Sequence, residues 1–316
     1  MKIVIPGGKG HVGNLLTQSF RKDGHSVTVL SRSPTNVDPE EVFWDGRSLG
    51  AWTETLEGAD VVINLAGKSV NCRYTPVNRR KIMDSRVEST RIVGEAIANA
   101  KVPPRVWLQA STATIYEHSF DEPNDEVNGR IGGSEPRAPD TWRFSIDVAT
   151  AWERAANEAE TRKTRMVLMR SAIILSPERD GIFDVLLGLV RMGAGGKTGS
   201  GRQMVSWVHG EDFVRAVYRL IEDERFSGPV NIASPNPLSN ARFMKELREA
   251  WGIPLGIPSP EWLLEIASFI MRTESELVLK SRYVLPRLLT DAGFEFEFPE
   301  WKETAEDLCE RWRAGG

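Results

Sequence analysis

Apolar positions follow two rhythms along this chain. Lys2-Ile3-Val4-Ile5-Pro6 is a continuous apolar run, and Gly7-Gly8-Lys9-Gly10-His11-Val12-Gly13 follows it. Leu15, Leu16 and Phe20 then recur at helical spacing, before a second apolar run from Ser26 to Arg32. Continuous runs predict strands buried on both faces of a parallel sheet, and the 3.6-residue rhythm between them predicts a helix. The alternation continues with strands over 41–45, 60–67, 105–111 and 165–170. Helices are expected over 78–100, with a stripe of Ile82, Val87, Ile92, Val93 and Ile97, and from Asp140 to about Thr161. Pro103-Pro104 stops the first of these helices, and the acidic, Gly- and Pro-rich stretch 117–140 reads as a loop.

The rhythm changes at Ser176. An apolar helix over 182–192 leads into the glycine-rich stretch 193–201, a crossover or lid. That stretch contains Gly196-Lys197-Thr198, but Arg191 stands where a triphosphate loop needs its first glycine. A strand over 205–209, a helix over 212–221 and a strand over 230–233 return to the first pattern, and from Ser234 the chain is expected to be mostly helical. The fold class is therefore α/β, a Rossmann doubly wound parallel sheet with a smaller, mostly helical C-terminal domain. Residues 1–175, rejoined by 204–233, form the nucleotide-binding unit; 176–203 and 234–316 form the smaller one.

Strand, glycine turn, helix and strand in that order form a dinucleotide site. Gly7 turns the chain off the strand, Gly10 leaves room for a pyrophosphate, and Gly13 lets the helix lie against the strand. The helix start offers amides to the phosphates. At the end of the second strand an NAD site usually carries a carboxylate. Here Ser31 and Arg32 stand there, with Lys9 in the turn, which favours the 2′-phosphate of NADP.

Composition narrows the rest. In 316 residues the net charge is −4, which gives no general attraction to nucleic acid or anionic membranes. Two cysteines (Cys72, Cys309) and four histidines (His11, His25, His118, His209) show no disulfide or metal spacing. The strand at the start leaves no room for a signal peptide, and no apolar run reaches about 18 residues, so a cytoplasmic protein is expected.

Several stretches together resemble the extended short-chain dehydrogenase/reductases, the superfamily of sugar-nucleotide epimerases and dehydratases. They are the glycine turn, Asn64-Leu65-Ala66-Gly67, Ser111-Thr112-Ala113-Thr114-Ile115-Tyr116, and Ser206 to Phe213. Ser85 to Thr90, Trp152-Glu153, Gly199 to Gln203 and Val284 to Leu289 are similar to a subgroup, the "epimerase family" proteins with a C-terminal domain of unknown function. The resemblance implies cofactor positions at Gly7, Gly10, Gly13, Ser31, Arg32, Leu65, Ala66 and Gly67, with Asp45 near the adenine; Lys9, His11, Val12, Arg86 and Ser111 complete the expected cofactor set. It makes Thr112 the catalytic hydroxyl and allows a homodimer.

One departure matters. The superfamily relies on Tyr-x-x-x-Lys in the helix after Thr112, but Ser145 and Ala149 occupy those places, and no lysine lies between Lys101 and Lys163. Tyr116 is then the candidate acid, and Arg86 or Arg170 the candidate cation. Glu153 is expected as a helix-face charge or buried pair, and His209 as a core or hinge residue. Two functions follow. One is an NADP-dependent oxidoreductase or epimerase acting on a small molecule such as a sugar or sugar nucleotide. The other is an NADP-binding redox sensor or interaction module without turnover.

Overall fold

The computed structural model describes residues 1–35, 40–136, 138–179, 181–258 and 279–315. Its centre is a seven-stranded parallel sheet. Six strands come from the first 171 residues: β1 (Lys2–Pro6), β2 (Ser26–Ser31), β3 (Glu41–Phe43), β4 (Val61–Asn64), β5 (Val106–Thr112) and β6 (Arg165–Ser171). The strand over 228–232 completes the order β3-β2-β1-β4-β5-β6-β10, which reverses direction between β1 and β4. Ligands bind at such a reversal, outside the carboxyl ends of the strands.

The continuous apolar runs are explained by helices on both faces. Ile3, Ile5, Val61 and Leu108 point to one side, against Leu16 and Phe20 of α1 (His11–Lys22). Val4, Val62 and Trp107 point to the other, against Val93, Ala96 and Ile97 of α2 (Pro76–Asn99). Trp152 of α3 (Asp140–Asn157) is buried beside α2 and donates from its indole N–H to Thr90, 2.9 Å away.

Beyond Ser171 the chain leaves the sheet. β7 (Ile173–Leu175) and α4 (Ile182–Arg191) begin a second apolar core. The apolar stretch expected as one strand over 205–209 is split into β8 (Met204–Val205) and β9 (Trp207–His209). Ser206 causes the break: its buried hydroxyl donates to Arg282 O at 2.7 Å and accepts from Val284 N at 2.9 Å. β9 pairs with β7 rather than with the central sheet. α5 (Gly210–Glu222) and β10 (Gly228–Ile232) return to the main core.

β11 (Leu238–Ser239) pairs antiparallel with β8, a short strand in a segment expected to be helical. α6 (Asn240–Trp251), α7 (Arg287–Asp291) and α8 (Trp301–Arg313) follow. Trp301 stacks on Phe243 at 3.9 Å and meets Trp207 edge-on at 5.2 Å, joining α8, α6 and β9 in the second core. Leu288, Leu289 and Phe294 pack instead on the main core, so this part of the tail departs from the expected smaller unit. Helix expected over 259–278 lies outside the described residues. No helix among the described residues is long and apolar enough to cross a membrane.

Candidate functional site

The glycine turn meets the steric demands of a dinucleotide cradle. Gly7 has φ +77°, and a Cβ there would lie 2.7 Å from Ala66 Cα. At Gly13 a Cβ would lie 2.3 Å from Gly8 O, so this glycine lets α1 close on the turn. A Cβ on Gly10 would meet only Gly7 O, at 3.9 Å, so it would project into open space. No side chain caps α1 and its first turn holds no acidic residue. The amides of His11, Val12 and Gly13 begin the helix, at its partly positive end, which suits a pyrophosphate. Leu65 and Ala66 run past the turn, Leu65 N donating to Pro6 O at 2.9 Å. These residues fit a dinucleotide.

The end of β2 differs from expectation in one respect. Lys9 donates to Ser33 O at 2.9 Å and pairs with Glu41 at 3.2 Å, so it is not a spare cation. The Thr35 amide, and then Lys9, hold the Glu41 carboxyl below its ordinary range. Ser31 Oγ accepts from Ser33 N at 3.1 Å, and Arg32 is exposed beside it. Asp45 closes its own turn: its carboxylate takes Ser48 Oγ and the amides of Ser48 and Arg47. Those bonds, that from Ser48 Oγ foremost, hold its pKa down. His11 keeps its amide in the cradle while its ring bonds Ser176 Oγ at 2.6 Å, tying the turn to the second core's entry strand.

Next to the carboxyl ends of β4 and β5 lies a cavity of about 120 Å³. Thr112, Thr114, Tyr74, Arg86, Ser145 and Arg282 supply its polar lining, and Phe144, Val148 and Trp152 part of its apolar wall. Ser145, Val148, Ala149 and Trp152 form one face of α3 at helical spacing, which is why they meet here. Thr112 Oγ accepts from Thr114 N at 3.2 Å, leaving its own proton to donate. Arg86 donates to Lys68 O and Ile82 O, at 2.9 and 3.2 Å, and lies 5.0 Å over the Trp152 ring. A Cβ on Gly67 would come within 3.2 Å of its guanidinium carbon, so this glycine makes room for it. Burial pulls the Arg86 pKa down to about 10, against the influence of Tyr74 and Cys72, and the group stays charged at neutral pH. Sequence reasoning missed Tyr74. The available signal was its place in the loop between β4 and α2, at the carboxyl edge of the sheet.

Ser111 and Tyr116 do not face this cavity. Ser111 Oγ donates to Glu153, and both Glu153 oxygens accept from Arg170 at 2.8 Å. Arg170 also donates to the Tyr116 hydroxyl at 2.9 Å, and that hydroxyl donates to Asn231 Oδ1 at 2.9 Å. Tyr116 is 2% exposed and Ser111 8%. Burial raises the Tyr116 pKa, with Arg170 opposing. For Arg170, burial alone would lower the pKa, but the bond with Glu153 raises it. The expected acid is thus a structural phenol, and the expected second cation a structural ion pair. His209 is buried as expected: Nδ1 caps α5 at Glu211 N, and the ring stacks on Phe298 at 3.9 Å.

Comparison with known proteins agrees with this fold. Residues 3–233 match the NAD dependent epimerase/dehydratase family, and residues 259–308 match a domain of unknown function, DUF1731. The chain is 31% identical over 304 residues to the epimerase family protein SDR39U1 of Bos taurus, covering 95% of this chain and 97% of that protein. It is 31% identical over 302 residues to the epimerase family protein YfhF of Bacillus subtilis, covering 95% of each. The crystal structure of human epimerase family protein SDR39U1 (isoform 2) with NADPH superposes with a TM-score of 0.85 at 28% identity, over 98% of this chain and 99% of that one. UDP-N-acetylglucosamine 4-epimerase of Bacillus cereus shares the fold, with a TM-score of 0.75 at 18% identity over 99% of each chain.

Proposed function

The chain belongs to the NAD dependent epimerase/dehydratase family, and on that premise we propose that it is an NADP-dependent oxidoreductase or epimerase acting on a small carbonyl or hydroxyl compound. One observation carries this reading: an uncapped helix start linked, through Ala66 against Gly7 and Gly67 against Arg86, to a cavity that holds hydroxyls, a phenol and a buried guanidinium. Gly7, Gly10, Gly13 and the amides of His11 and Val12 would hold the pyrophosphate. Leu65, Ala66 and Gly67 would lie beneath the cofactor, and Ser31 with Arg32 would take the 2′-phosphate. The bound dinucleotide supplies a hydride donor or acceptor. Thr112 would donate a hydrogen bond to the reacting oxygen, and the Phe144, Val148 and Trp152 wall would exclude water. The cavity volume suits a small molecule or the sugar end of a sugar nucleotide. Residues 176–203 and 234–258, with α8, would form the covering unit, supported by their separate apolar core.

Calorimetry with NADPH and NADH, followed by loss of NADPH absorbance over a panel of carbonyl compounds and sugar nucleotides, tests the reading. Binding with turnover that falls on Thr112→Ala is the expected result. Tight binding without any turnover favours the redox sensor, and no binding of either dinucleotide removes both readings.

A further inference from the structure

The geometry points to Tyr74 as the proton donor and acceptor of this cavity, with Arg86 as the cation that activates it. The inference rests on the oxidoreductase reading and names the group that reading leaves unassigned. It begins with what the cavity wall can do. Thr112, Thr114 and Ser145 offer hydroxyls that release no proton near neutral pH, and Arg86 and Arg282 carry guanidinium groups that also keep theirs. Tyr74 is the one phenol of that lining, and no carboxyl or imidazole joins it among the described residues. Among the described groups Tyr74 is therefore the one suited to pass a proton to or from a bound substrate, directly or along its neighbouring hydroxyls.

The packing holds the phenol in place. Tyr74 is 8% exposed, and its ring meets Phe144 edge-on at 5.0 Å. Its hydroxyl lies 3.5 Å from Ser145 Oγ on the cavity face of α3. Its carbonyl accepts from Arg79 Nε at 3.0 Å, and Thr75, the next residue, caps α2 through Asn78 N. The loop is thus anchored on both sides of the ring. Arg86, three turns into α2, lines the same cavity as Tyr74, donates to backbone carbonyls and has no carboxylate partner among the described residues. A buried cation without a counter-charge favours the phenolate of a nearby tyrosine. Among the described residues, Arg79 bonds its backbone carbonyl and Arg282 lines the same cavity from the tail.

In a carbonyl reduction by a reduced nicotinamide dinucleotide, the O–H bond of Tyr74 would break and its proton pass to the substrate oxygen, while the adjoining carbon takes the hydride with its electron pair and the dinucleotide is left oxidised. The phenolate then regains a proton from water. In the reverse direction the phenolate removes the hydroxyl proton.

Ultraviolet titration of phenolate, taken as the difference between the unaltered chain and Tyr74→Phe, isolates this one tyrosine without a known substrate. Arg86→Gln is expected to move the Tyr74 transition to higher pH, and Arg86→Lys to leave it closer to its original place. On the unaltered chain, saturating NADP⁺ is expected to move the same transition. A Tyr74 transition that responds neither to the Arg86 charge nor to NADP⁺ overturns the proposal. So does a Tyr74→Phe protein that reduces a carbonyl compound as fast as the unaltered chain; the expected loss in kcat is about 100-fold or more, with NADPH affinity within about twofold. Absence of NADPH binding in the unaltered chain would instead sink the oxidoreductase reading, and the Tyr74–Arg86 coupling would still be measured.

Discussion

Glu153 takes two N–H groups of Arg170 and the Ser111 hydroxyl on the inner side of the sheet, and Arg170 reaches on to Tyr116. Removing one member leaves the others, about nine-tenths buried, without their charged partner. Glu153→Ala is expected to lower stability by about 3–5 kcal/mol, read from the urea midpoint. Tyr116→Phe is expected to cost about 1–3 kcal/mol and to leave NADPH affinity unchanged, which separates its structural role from that of Tyr74. Arg32 belongs at this scale too. Arg32→Glu is expected to weaken NADPH by about tenfold or more and NADH far less, by calorimetry; equal losses would remove the argument for the phosphorylated cofactor. The glycines were legible because a turn constrains residue type locally. The direction of Tyr116 was not: the short 3₁₀ turn over Ala113–Ile115 changes the phase of side chains after β5, and Gly129 makes room for the ring on the far side. Glu153 could be read as a charge, but its partners lie 17 and 42 residues away and leave no local trace.

Among the elements, α1 depends on its close approach to the turn. Gly13→Ala places a methyl against Gly8 O, so the helix start must move; the expected result is loss of most NADPH binding, seen by calorimetry, on a chain that keeps its far-ultraviolet circular dichroism. α5 starts at His209, where burial lowers the imidazole pKa below its usual 6.5 despite Asp307 and Glu211. The unfolded chain therefore binds this proton first, so the contribution to stability is present above about pH 6.5 and is lost as pH falls towards the folded pKa. His118, also lowered by burial, acts in the same direction. Melting temperatures between about pH 7.5 and 5 are expected to fall less in His209→Asn, which can still cap the helix; an unchanged slope would refute the assignment. The parallel strands and the helices α1 to α3 were legible because their periodicity lies within each segment. The split between β8 and β9, and the small strand β11, follow from pairing with distant residues and from Ser206 bonding the tail, which no local rhythm records.

For the whole molecule, two apolar cores are joined by polar contacts. Asp212, fully buried at the start of α5, accepts the amides of Glu297 and Phe298 at 2.9 and 2.8 Å. Ser234 Oγ donates to Pro299 O at 2.8 Å. These bonds set the path into α8, whose Trp301 fills the second core. Trp301→Ala is expected to cost about 3–5 kcal/mol in chemical denaturation, and a loss below about 1 kcal/mol would mean that α8 adds little to this core. Sequence reading anticipated the parallel α/β sheet and a helical C-terminal region in outline. It could not see that the tail crosses back at Leu288, Leu289 and Phe294, because a short apolar cluster does not say which core it enters. The chain of bonds from Ser111 through Glu153, Arg170, Tyr116 and Asn231 ends on the carbonyl of Leu285 in that tail. Its heritable consequence is that these residues are not independently replaceable. A lineage that lost Arg170 alone would carry an orphaned anion through every generation until Glu153 changed as well, so descendants are expected to keep both or to exchange both.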